Sequence, residues 1–434
     1  MYQYVGLPTL SMRRLKRTIL NAEASAVKPV VRWTFCLMVF SLPFDLPRAG
    51  LPLEVTTLTA CIFLLATALQ PHVCFRRPPK AFWCFVLYLY VYVVSMLWHS
   101  VGYSRIDLQR EQGKLVFLLL QAMVLCWTGY NVMRDQRTAQ AALLTLAASC
   151  IILAGIHILG LARTTTEIAS NIERLSTFGQ NPNSLARHLS FGALTLVGLG
   201  YGRSKRALRV PLLIWPFVLL LIMAIESTGA RGSVIALAAG LLFFVLGGEQ
   251  PAARIRNIVI VALALSFAIW MSLRSETMVQ RFEKSIDEGS MAQRENLYPT
   301  AWKMFLDRPL LGWGPTLNMW ELGTRVGEAD HPFRDTHNLL LEVLTVTGVI
   351  GAIPFFVGVF LCLLAAWNAR AGPEGVLPLA AIVAILVANV GANLHYNKLF
   401  WLVLTYALAS GHRRLHVLKE AQKPAQKPRR AAVV

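Results

Sequence analysis

The chain has 434 residues, 55% of them hydrophobic, with a mean hydropathy of +0.51 and a formal net charge of +19. Soluble globular proteins are usually about 45–50% apolar, so this composition argues against two or three ordinary soluble domains. Apolar runs near the roughly 20 residues that a helix needs to cross a bilayer recur along most of the chain. Because the runs are continuous rather than alternating, they favour membrane-spanning helices over a barrel.

The hydropathy pattern predicts an all-α integral membrane protein with about twelve transmembrane helices. Pro43 interrupts the first of them. We place the helices at residues 29–46, 50–70, 81–99, 114–132, 139–161, 184–202, 210–226, 231–248, 256–273, 338–368, 376–395 and 398–412. The chain therefore divides into helices one to nine with an N-terminal tail (1–273), a large loop (274–337), helices ten to twelve (338–412) and a basic tail (413–434).

An even number of crossings puts both termini on one side of the membrane. Short connections rich in Lys and Arg mark the cytoplasmic side, so both tails are predicted to be cytoplasmic. The same distribution explains the net charge without a nucleic-acid partner. The end of the chain, from about 417, is expected to be disordered. The residues that carry this assignment are Arg13, Arg14, Lys16, Arg17, Lys28, Arg76, Arg77, Lys80, Arg134, Arg137, Arg203, Lys205, Arg206, Arg209, Arg254, Arg256, Arg413, Arg414, Lys419, Lys423, Lys427, Arg429 and Arg430.

The opposite, periplasmic side carries two long connections, residues 162–183 and 274–337. The second is too polar to span the membrane and too long to be a passive link. Within it, residues 291–306 predict a short helix, with Pro299 in an early turn or at a kink. Trp302, Phe305 and Leu306 share one face of that helix, and this face could lie on the membrane surface.

Arginine is unexpectedly frequent on the outer side. Arg174 and Arg187 flank the first long connection, and Arg231 follows Ser-Thr-Gly-Ala at the outer start of a predicted helix. Cationic side chains at a membrane boundary need either a counter-charge or a functional role. The planar guanidinium of arginine can form two hydrogen bonds to one phosphate. The alternative is an ordinary surface ion pair, because the large loop also contains many acidic residues. The remaining outer arginines and lysines are Arg274, Arg281, Lys284, Arg294, Lys303, Arg308, Arg325 and Arg334.

Two of these arginines favour a functional reading. Arg231 lies between Gly229 and Gly232, and Glu226 is its one acidic neighbour in the sequence. Arg294 stands at the start of the predicted loop helix rather than in a ladder of charge pairs. Both are predicted to bind an anionic ligand.

His337 ends the large loop and precedes Asn338 and a long apolar helix. We expect Asp335 or Thr336 to cap that helix, which would hold the histidine rigidly at the membrane boundary. An imidazole can take a proton near neutral pH and so act as a general base. A boundary histidine with an ordinary hydrogen bond is the alternative. Glu342, buried in the same helix, is expected to be a structural partner.

Other chemistries find little support in the sequence. It contains no HExxH, Walker, GxSxG or DxD motif. Asp330-His331 and Asp287-Glu288 have neither the number of ligands nor the spacing of a metal site. The seven cysteines include no CxxC pair, and none lies in the large loop. No metal and no cofactor are predicted. A cleaved signal peptide is not expected either, because Ala-Ser-Ala at 24–26 precedes the first apolar run.

The second half of the chain resembles the O-antigen ligase and O-antigen polymerase superfamily, most closely the O-antigen ligases of Gram-negative bacteria. The resemblance covers about residues 170–395. One departure is Ala230, where the family often has serine. The matching stretches, in order, are Arg174-Leu-Ser-Thr-Phe-Gly-Gln-Asn-Pro-Asn183, Ser227-Thr-Gly-Ala-Arg231-Gly232, Arg294 through Trp302 to Pro309-Leu-Leu-Gly-Trp-Gly314, and His337-Asn-Leu-Leu-Leu-Glu342 followed by Gly348 and Gly351.

This resemblance implies a GT-C-like inner-membrane glycosyltransferase that finishes lipopolysaccharide on the periplasmic face. The donor would be undecaprenyl-pyrophosphate-linked O-antigen, and the acceptor a sugar hydroxyl of lipid A–core. The reaction would be inverting and metal-independent. In the implied site His337 takes the acceptor proton, and Arg231 and Arg294 bind the pyrophosphate. The predicted assisting and supporting residues are Arg174, Arg187, Asn338, Asn181, Asn183 and Glu342.

Three rival functions remain open from the sequence. A polymerase of the same superfamily would use a second undecaprenyl-linked glycan as acceptor. A protein O-oligosaccharyltransferase would use a pilin-like Ser or Thr, although such proteins commonly carry extra outer sequence after the histidine motif. A lipid or glycan transporter would predict charged residues within the spans, and the predicted spans are nearly free of charge.

Overall fold

The structure is a computed structural model, and it describes residues 26–44, 54–100, 106–167, 173–201, 211–245, 251–276, 278–280, 283, 294–327 and 333–421. Several sequence predictions fall outside these residues. They concern the N-terminal tail, the connection that contains Lys205, the pairs Asp287-Glu288 and Asp330-His331, and the end of the chain beyond Ala421.

Each predicted apolar run corresponds to a helix. These helices are α1 (Pro29–Ser41), α2 (Val55–Thr67), α4 (Lys80–Ser100), α5 (Ile106–Met133), α6 (Gln136–Ile158), α7 (Pro182–Tyr201), α8 (Trp215–Ser227), α9 (Arg231–Phe244), α10 (Pro251–Arg274), α13 (Leu339–Ala369), α14 (Leu377–Ala388) and α15 (Lys398–Ala421). Shorter elements are α3 (Pro71–Cys74), a 3₁₀ turn (Pro211–Ile214), α11 (Arg294–Asp307) and α12 (Pro315–Val326).

In the described part of the chain, α4, α5, α6, α10 and α13 are long and apolar enough to cross a membrane. Helices α1, α2, α8, α9 and α14 are apolar but shorter. The architecture is therefore that of an all-α membrane protein, while the number of twelve crossings stays a prediction. The last helix continues to Ala421, beyond its predicted end at 412 and past the predicted start of disorder.

A small β-hairpin interrupts the helical architecture. Strands β1 (Arg163–Glu167) and β2 (Glu173–Thr177) pair antiparallel in the connection between α6 and α7. The hairpin was not predicted from the sequence, because two five-residue strands are too short for a clear alternation of apolar and polar residues. The hairpin is relevant to function because β2 carries Arg174.

Helix α13 is central, and it packs against α4 on one side and α15 on the other. Aromatic rings fill this contact. Phe85 of α4 lies 5.9 Å from Phe355 of α13 and 4.9 Å from Trp401 of α15, measured between ring centroids. Edge-to-face aromatic packing of this kind holds the three helices in one arrangement.

Helix α13 is broken in its N-terminal third, where the sequence predicted an uninterrupted helix over 338–368. Gly348 has φ 61° and ψ −167°, which is not helical. The segment Pro309–Gly314, which follows α11, enters the break. The backbone N–H of Trp313 donates to Thr345 O at 2.7 Å, and that of Val349 donates to Pro309 O at 2.8 Å. The loop thus satisfies backbone groups that the broken helix would otherwise leave unpaired.

Glycine makes this insertion possible. A Cβ added at Gly312 would lie 2.5 Å from Thr345 O, and one added at Gly348 would collide with Leu310 O. Ser95 of α4 also contacts the inserted segment, since its hydroxyl donates to Leu311 O at 2.6 Å. Part of the large loop is therefore anchored in the helical core, which fixes both of its described helices relative to the start of α13.

Candidate active site

His337 lies immediately before α13 in a backbone conformation that non-glycine residues rarely adopt. Its φ is +49°, and such strain is common at functional sites. Asp335 holds the residue by two contacts. Its Oδ1 is 2.6 Å from the imidazole Nδ1 and accepts a hydrogen bond from the His337 backbone N–H at 3.0 Å. The side chain remains 41% exposed, so the imidazole is not enclosed by the protein.

The Asp335 carboxylate is suited to this task. Burial raises its pKa, but the hydrogen bonds and charge of His337, together with the charge of Arg334, outweigh that effect. The net result is a pKa below the ordinary value of 3.8. Asp335 therefore stays ionised at neutral pH, and an ionised partner at Nδ1 keeps the proton there and leaves Nε2 free to accept one.

The predicted helix cap was wrong. Asn338 caps α13, because its Oδ1 accepts the Leu341 backbone N–H at 3.1 Å. Asp335 instead holds His337, and Thr336 donates to Glu342. The hydroxyl and the backbone N–H of Thr336 lie 2.9 Å and 3.2 Å from Glu342 Oε2. Both Thr336 and Glu342 are fully buried, which agrees with the structural role expected of Glu342.

The turn between α14 and α15 joins Arg294 to the histidine segment. Arg294 Nη2 donates to Gly391 O at 2.7 Å. One residue earlier, Val390 O accepts hydrogen bonds from Tyr298 Oη at 2.8 Å and from Asn338 Nδ2 at 3.2 Å. Two consecutive backbone carbonyls of this turn therefore bind side chains of α11 and of Asn338, the residue after His337. Hydrogen bonds through this turn therefore connect the Arg294 side chain to the segment that carries His337.

Arg231 is the first residue of α9 and follows a tight turn at Gly229, whose φ is +64°. Its guanidinium is close enough to that of Arg294 for the two charges to repel each other. Glu226, the acidic neighbour in the sequence, accepts a hydrogen bond from Ser272 of α10 at 2.8 Å. Two cations brought together across 63 positions of sequence form a basin of positive potential.

Arg174 is buried and holds other parts of the site. Its Nε donates to Thr228 O at 3.0 Å, and its Nη2 donates to Asn183 Oδ1 at 2.9 Å. It thus connects β2 to the turn before Arg231 and to the start of α7. Asn181 begins that helix, since its Oδ1 accepts the Asn183 N–H at 2.8 Å. These contacts make Arg174 a positioning residue, and its direct contact with phosphate stays a prediction.

Arg187 of α7 is in a different situation. It is 8% exposed, and neither a hydrogen bond nor an ion pair joins it to any residue that the structure describes. A buried guanidinium without a protein partner is costly. An anionic ligand would offset that cost, so the prediction that Arg187 assists donor binding is retained.

His157 was missed by the sequence analysis. It is buried on α6, with Nδ1 2.8 Å from Thr177 Oγ1 and Nε2 2.8 Å from Ser227 Oγ. It therefore connects the hairpin to the end of α8, four residues before Arg231. Only the tertiary structure brings positions 157, 177 and 227 together, so no local pattern indicates this role.

Other arginines of the large loop have structural partners. Arg325 forms ion pairs with Asp307 at 2.6 Å and with Glu321 at 2.8 Å. Arg308 contacts His99 Nδ1 at 2.7 Å and stacks 3.9 Å above the Trp313 ring. These are the surface pairs that the sequence analysis weighed against function. Among the described residues, no group of three His, Cys, Asp or Glu side chains is placed to hold a metal ion.

Comparison with known proteins adds a family likeness for the second half of the chain. Residues 216–356 match the family model described as O-antigen ligase. An O-antigen ligase of Pseudomonas aeruginosa is 26% identical over 258 residues, which are 55% of this chain and 57% of that protein. Part of the chain is therefore similar to O-antigen ligases.

The family match contains five of the predicted site residues, namely Arg231, Arg294, His337, Asn338 and Glu342. Arg174, Arg187, Asn181 and Asn183 precede the matched range. The alignment with the Pseudomonas ligase spans just over half of that protein's length. The resemblance to O-antigen ligases that the sequence predicted is thereby confirmed.

Proposed function

We propose that the chain is an O-antigen ligase. It transfers O-antigen polysaccharide from undecaprenyl pyrophosphate to a sugar hydroxyl of lipid A–core. One observation carries the proposal most directly. Asp335 holds the His337 imidazole, Asn338 next to it binds Val390 O, and Arg294, which lies near Arg231, binds Gly391 O. A general base close to an arginine pair is what metal-independent glycosyl transfer from a pyrophosphate requires.

In the proposed reaction, His337 Nε2 takes the proton of the acceptor hydroxyl. The acceptor oxygen attacks the anomeric carbon of the donor sugar as the bond from that carbon to the phosphate oxygen breaks. The electron pair of this bond leaves with undecaprenyl pyrophosphate, and the configuration at the anomeric carbon inverts. The Asp335 carboxylate stabilises the imidazolium that forms, as ion pairs with buried histidines do.

The arginines act on the leaving group. Charge develops on the pyrophosphate as the bond to the sugar breaks, and preorganised donors stabilise it. Arg231 and Arg294 are the proposed direct ligands. Arg187 assists them, and Arg174 holds the turn from which Arg231 projects. The arginines therefore supply the positive charge that a divalent metal supplies in other phosphate enzymes, and no cofactor is proposed.

The proposal includes a cellular setting. A GT-C-like fold of twelve spans would lie in the bacterial inner membrane, with both termini cytoplasmic and the site facing the periplasm. The basic inner connections support this orientation. Both substrates are amphipathic, so holding them at one membrane boundary contributes much of the rate through proximity.

The main test is ligation with purified components. The full chain in lipid vesicles is incubated with lipid-linked O-antigen and, in parallel, with lipid A–core, a second lipid-linked glycan or a pilin-like peptide. Extension of lipid A–core is expected. Extension of the second glycan would favour a polymerase, and extension of the peptide would favour a protein O-oligosaccharyltransferase. Activity that depends on added divalent metal would overturn the metal-independent mechanism.

The general-base role has its own test. His337→Ala is expected to lower turnover by about 10²–10⁴-fold, the usual contribution of a positioned base. In cells, the full-length lipopolysaccharide bands should disappear while the amount of protein in the membrane is unchanged. Wild-type banding in this variant would exclude His337 as the base.

A further inference from the structure

Helix α11 has three faces, and the proposed function uses only its first residue, Arg294. One face, formed by Leu297, Ala301 and Met304, is buried. It packs on α12 and on the first turns of α13. These contacts fix the orientation of the helix, so its two remaining faces are turned outward in a defined way.

The second face is apolar and exposed. Trp302 is 47% exposed and Leu306 is 57% exposed. The Trp302 ring lies 5.2 Å from that of Phe305, and Leu310, just beyond the helix, extends the apolar strip. The third face is polar and carries Asn296, Lys303 and Asp307. Because successive residues are about 100° apart around a helix, Trp302 and Lys303 point in clearly different directions.

The end of α11 lies at the level of a membrane boundary. Arg308, immediately after the helix, contacts His99 at the end of the apolar span Lys80–His99. The neighbouring Trp98 is 69% exposed. Tryptophan side chains concentrate where a span leaves the lipid, so the exposed strip of α11 continues an apolar surface that faces the bilayer.

We infer that α11 lies along the lipid–water interface, with Trp302, Leu306 and Leu310 in contact with lipid. The partner is the bilayer itself. Lys303, on the adjacent polar face, would meet the anionic headgroups, as in other interfacial helices. The inference rests on packing and exposure and does not depend on the proposed reaction.

This orientation has a consequence for Arg294. A helix of 14 residues is about 20 Å long. Lying parallel to the membrane, it keeps its first residue at headgroup depth, whereas an upright helix would carry that residue roughly 20 Å away. Arg294 is thus held at the depth at which any lipid-linked phosphate lies.

The test measures depth directly. A nitroxide label is attached to the full chain through Trp302→Cys or Leu306→Cys, with Asn296→Cys and Lys303→Cys as matched controls on the polar face. The protein is reconstituted in vesicles of phosphatidylethanolamine and phosphatidylglycerol. The parent chain is labelled in parallel to measure the background from the native cysteines, which are buried or half-buried. Electron paramagnetic resonance then compares collision with oxygen, which concentrates in lipid, and with a water-soluble nickel complex.

The expected result is preferential collision with oxygen at positions 302 and 306 and with nickel at 296 and 303. Labels at 302 and 306 should also report similar depths, because the helix lies flat. Nickel access at all four positions would overturn the inference. Low access to both reagents at 302 and 306, with spin–spin broadening, would overturn it in favour of contact with a second copy of the chain.

A second comparison needs no label. Trp302→Asp is expected to lower the amount of folded protein in the membrane several-fold, because it places a carboxylate in lipid. Lys303→Asp introduces the same group one residue away and should leave that amount unchanged. Equal amounts of the two variants would contradict a lipid-facing strip.

Discussion

Arginine side chains near the two ends of α13 have opposite kinds of partner. Beyond the C-terminal end of the helix, Arg413 pairs with Glu374 at 2.6 Å, and both side chains are 6% exposed. Near the N-terminal end, Arg294 is held by the Gly391 carbonyl, and Arg231 has the cation Arg294 as an electrostatic neighbour. Arg187 has neither a hydrogen bond nor an ion pair within the described part of the chain.

The positive charge is neutralised at one end and retained at the other. A carboxylate cancels the charge of its arginine, so the Arg413–Glu374 pair needs no further partner. A carbonyl orients a guanidinium without cancelling its charge, so the N-terminal end of α13 retains positive potential. Keeping like charges together in a partly buried site costs stability, and an anionic substrate would offset that cost. We propose that the Arg413–Glu374 pair serves folding and that the cations near the N-terminal end serve binding.

The largest expected effects come from removing one buried cation at each end. Arg413→Met leaves Glu374 buried and unpaired, which typically costs about 3–5 kcal/mol. Arg187→Met removes an unpaired cation, so its melting temperature should equal or exceed that of the wild type while ligation decreases. Thermal unfolding in one detergent measures both. A clear fall in the melting temperature of Arg187→Met would mean that this arginine has a structural partner. That result would contradict the proposed contrast between Arg187 and Arg413.

The next largest effect is expected from replacing the guanidinium group of Arg231 or Arg294. Arg231→Gln or Arg294→Gln is expected to lower turnover by about 10²–10³-fold, as loss of one charge-stabilising donor does. The corresponding lysine variants should recover only part of the activity, because lysine keeps the charge and loses bidentate geometry. Arg325→Gln is the matched control, since surface ion pairs are worth about 0–1 kcal/mol. Full activity in the lysine variants would argue against bidentate phosphate recognition.

Asp335→Asn tests the carboxylate that holds His337. The asparagine oxygen still accepts a hydrogen bond but no longer stabilises an imidazolium, so turnover should fall about 10- to 100-fold. Because the pKa of Asp335 lies below its ordinary value of 3.8, its contribution to stability is fully present above about pH 3.8. That contribution is lost as pH falls through the lowered pKa. Unfolding measured from about pH 6 to pH 3 should therefore show convergence of variant and wild type only at the acidic end.

The smallest expected effect concerns His157, whose two hydrogen bonds are each worth about 1 kcal/mol. Glutamine can place its amide near the position of Nε2, and asparagine near that of Nδ1. His157→Gln should therefore keep the bond to Ser227 and retain a KM for the donor closer to wild type than His157→Asn does. The opposite order of the two KM values would indicate that donor binding depends on the bond from His157 to Thr177 rather than on its bond to Ser227.

The amino-acid sequence was sufficient to predict the helices, and it supplied the candidate site residues as a hypothesis. Continuous apolar runs predict helices because each run can satisfy its backbone only internally in lipid. The order of Arg231, Arg294 and His337 around one long loop, together with the resemblance, predicted which residues to examine. Helical periodicity, which is a local property, also predicted that Trp302 and Leu306 share one face of α11, and both side chains are exposed.

The contacts that hold these residues depend on the tertiary structure. Asp335 or Thr336 was expected to cap α13, yet Asn338 caps it and Asp335 binds His337, whose φ is +49°. The break at Gly348 depends on a loop inserted from about 35 residues away, and the Arg294–Gly391 bond spans 97 positions. Such contacts leave no periodic pattern in the sequence. They arise because buried backbone and charged groups must find partners in space, wherever in the chain those partners lie.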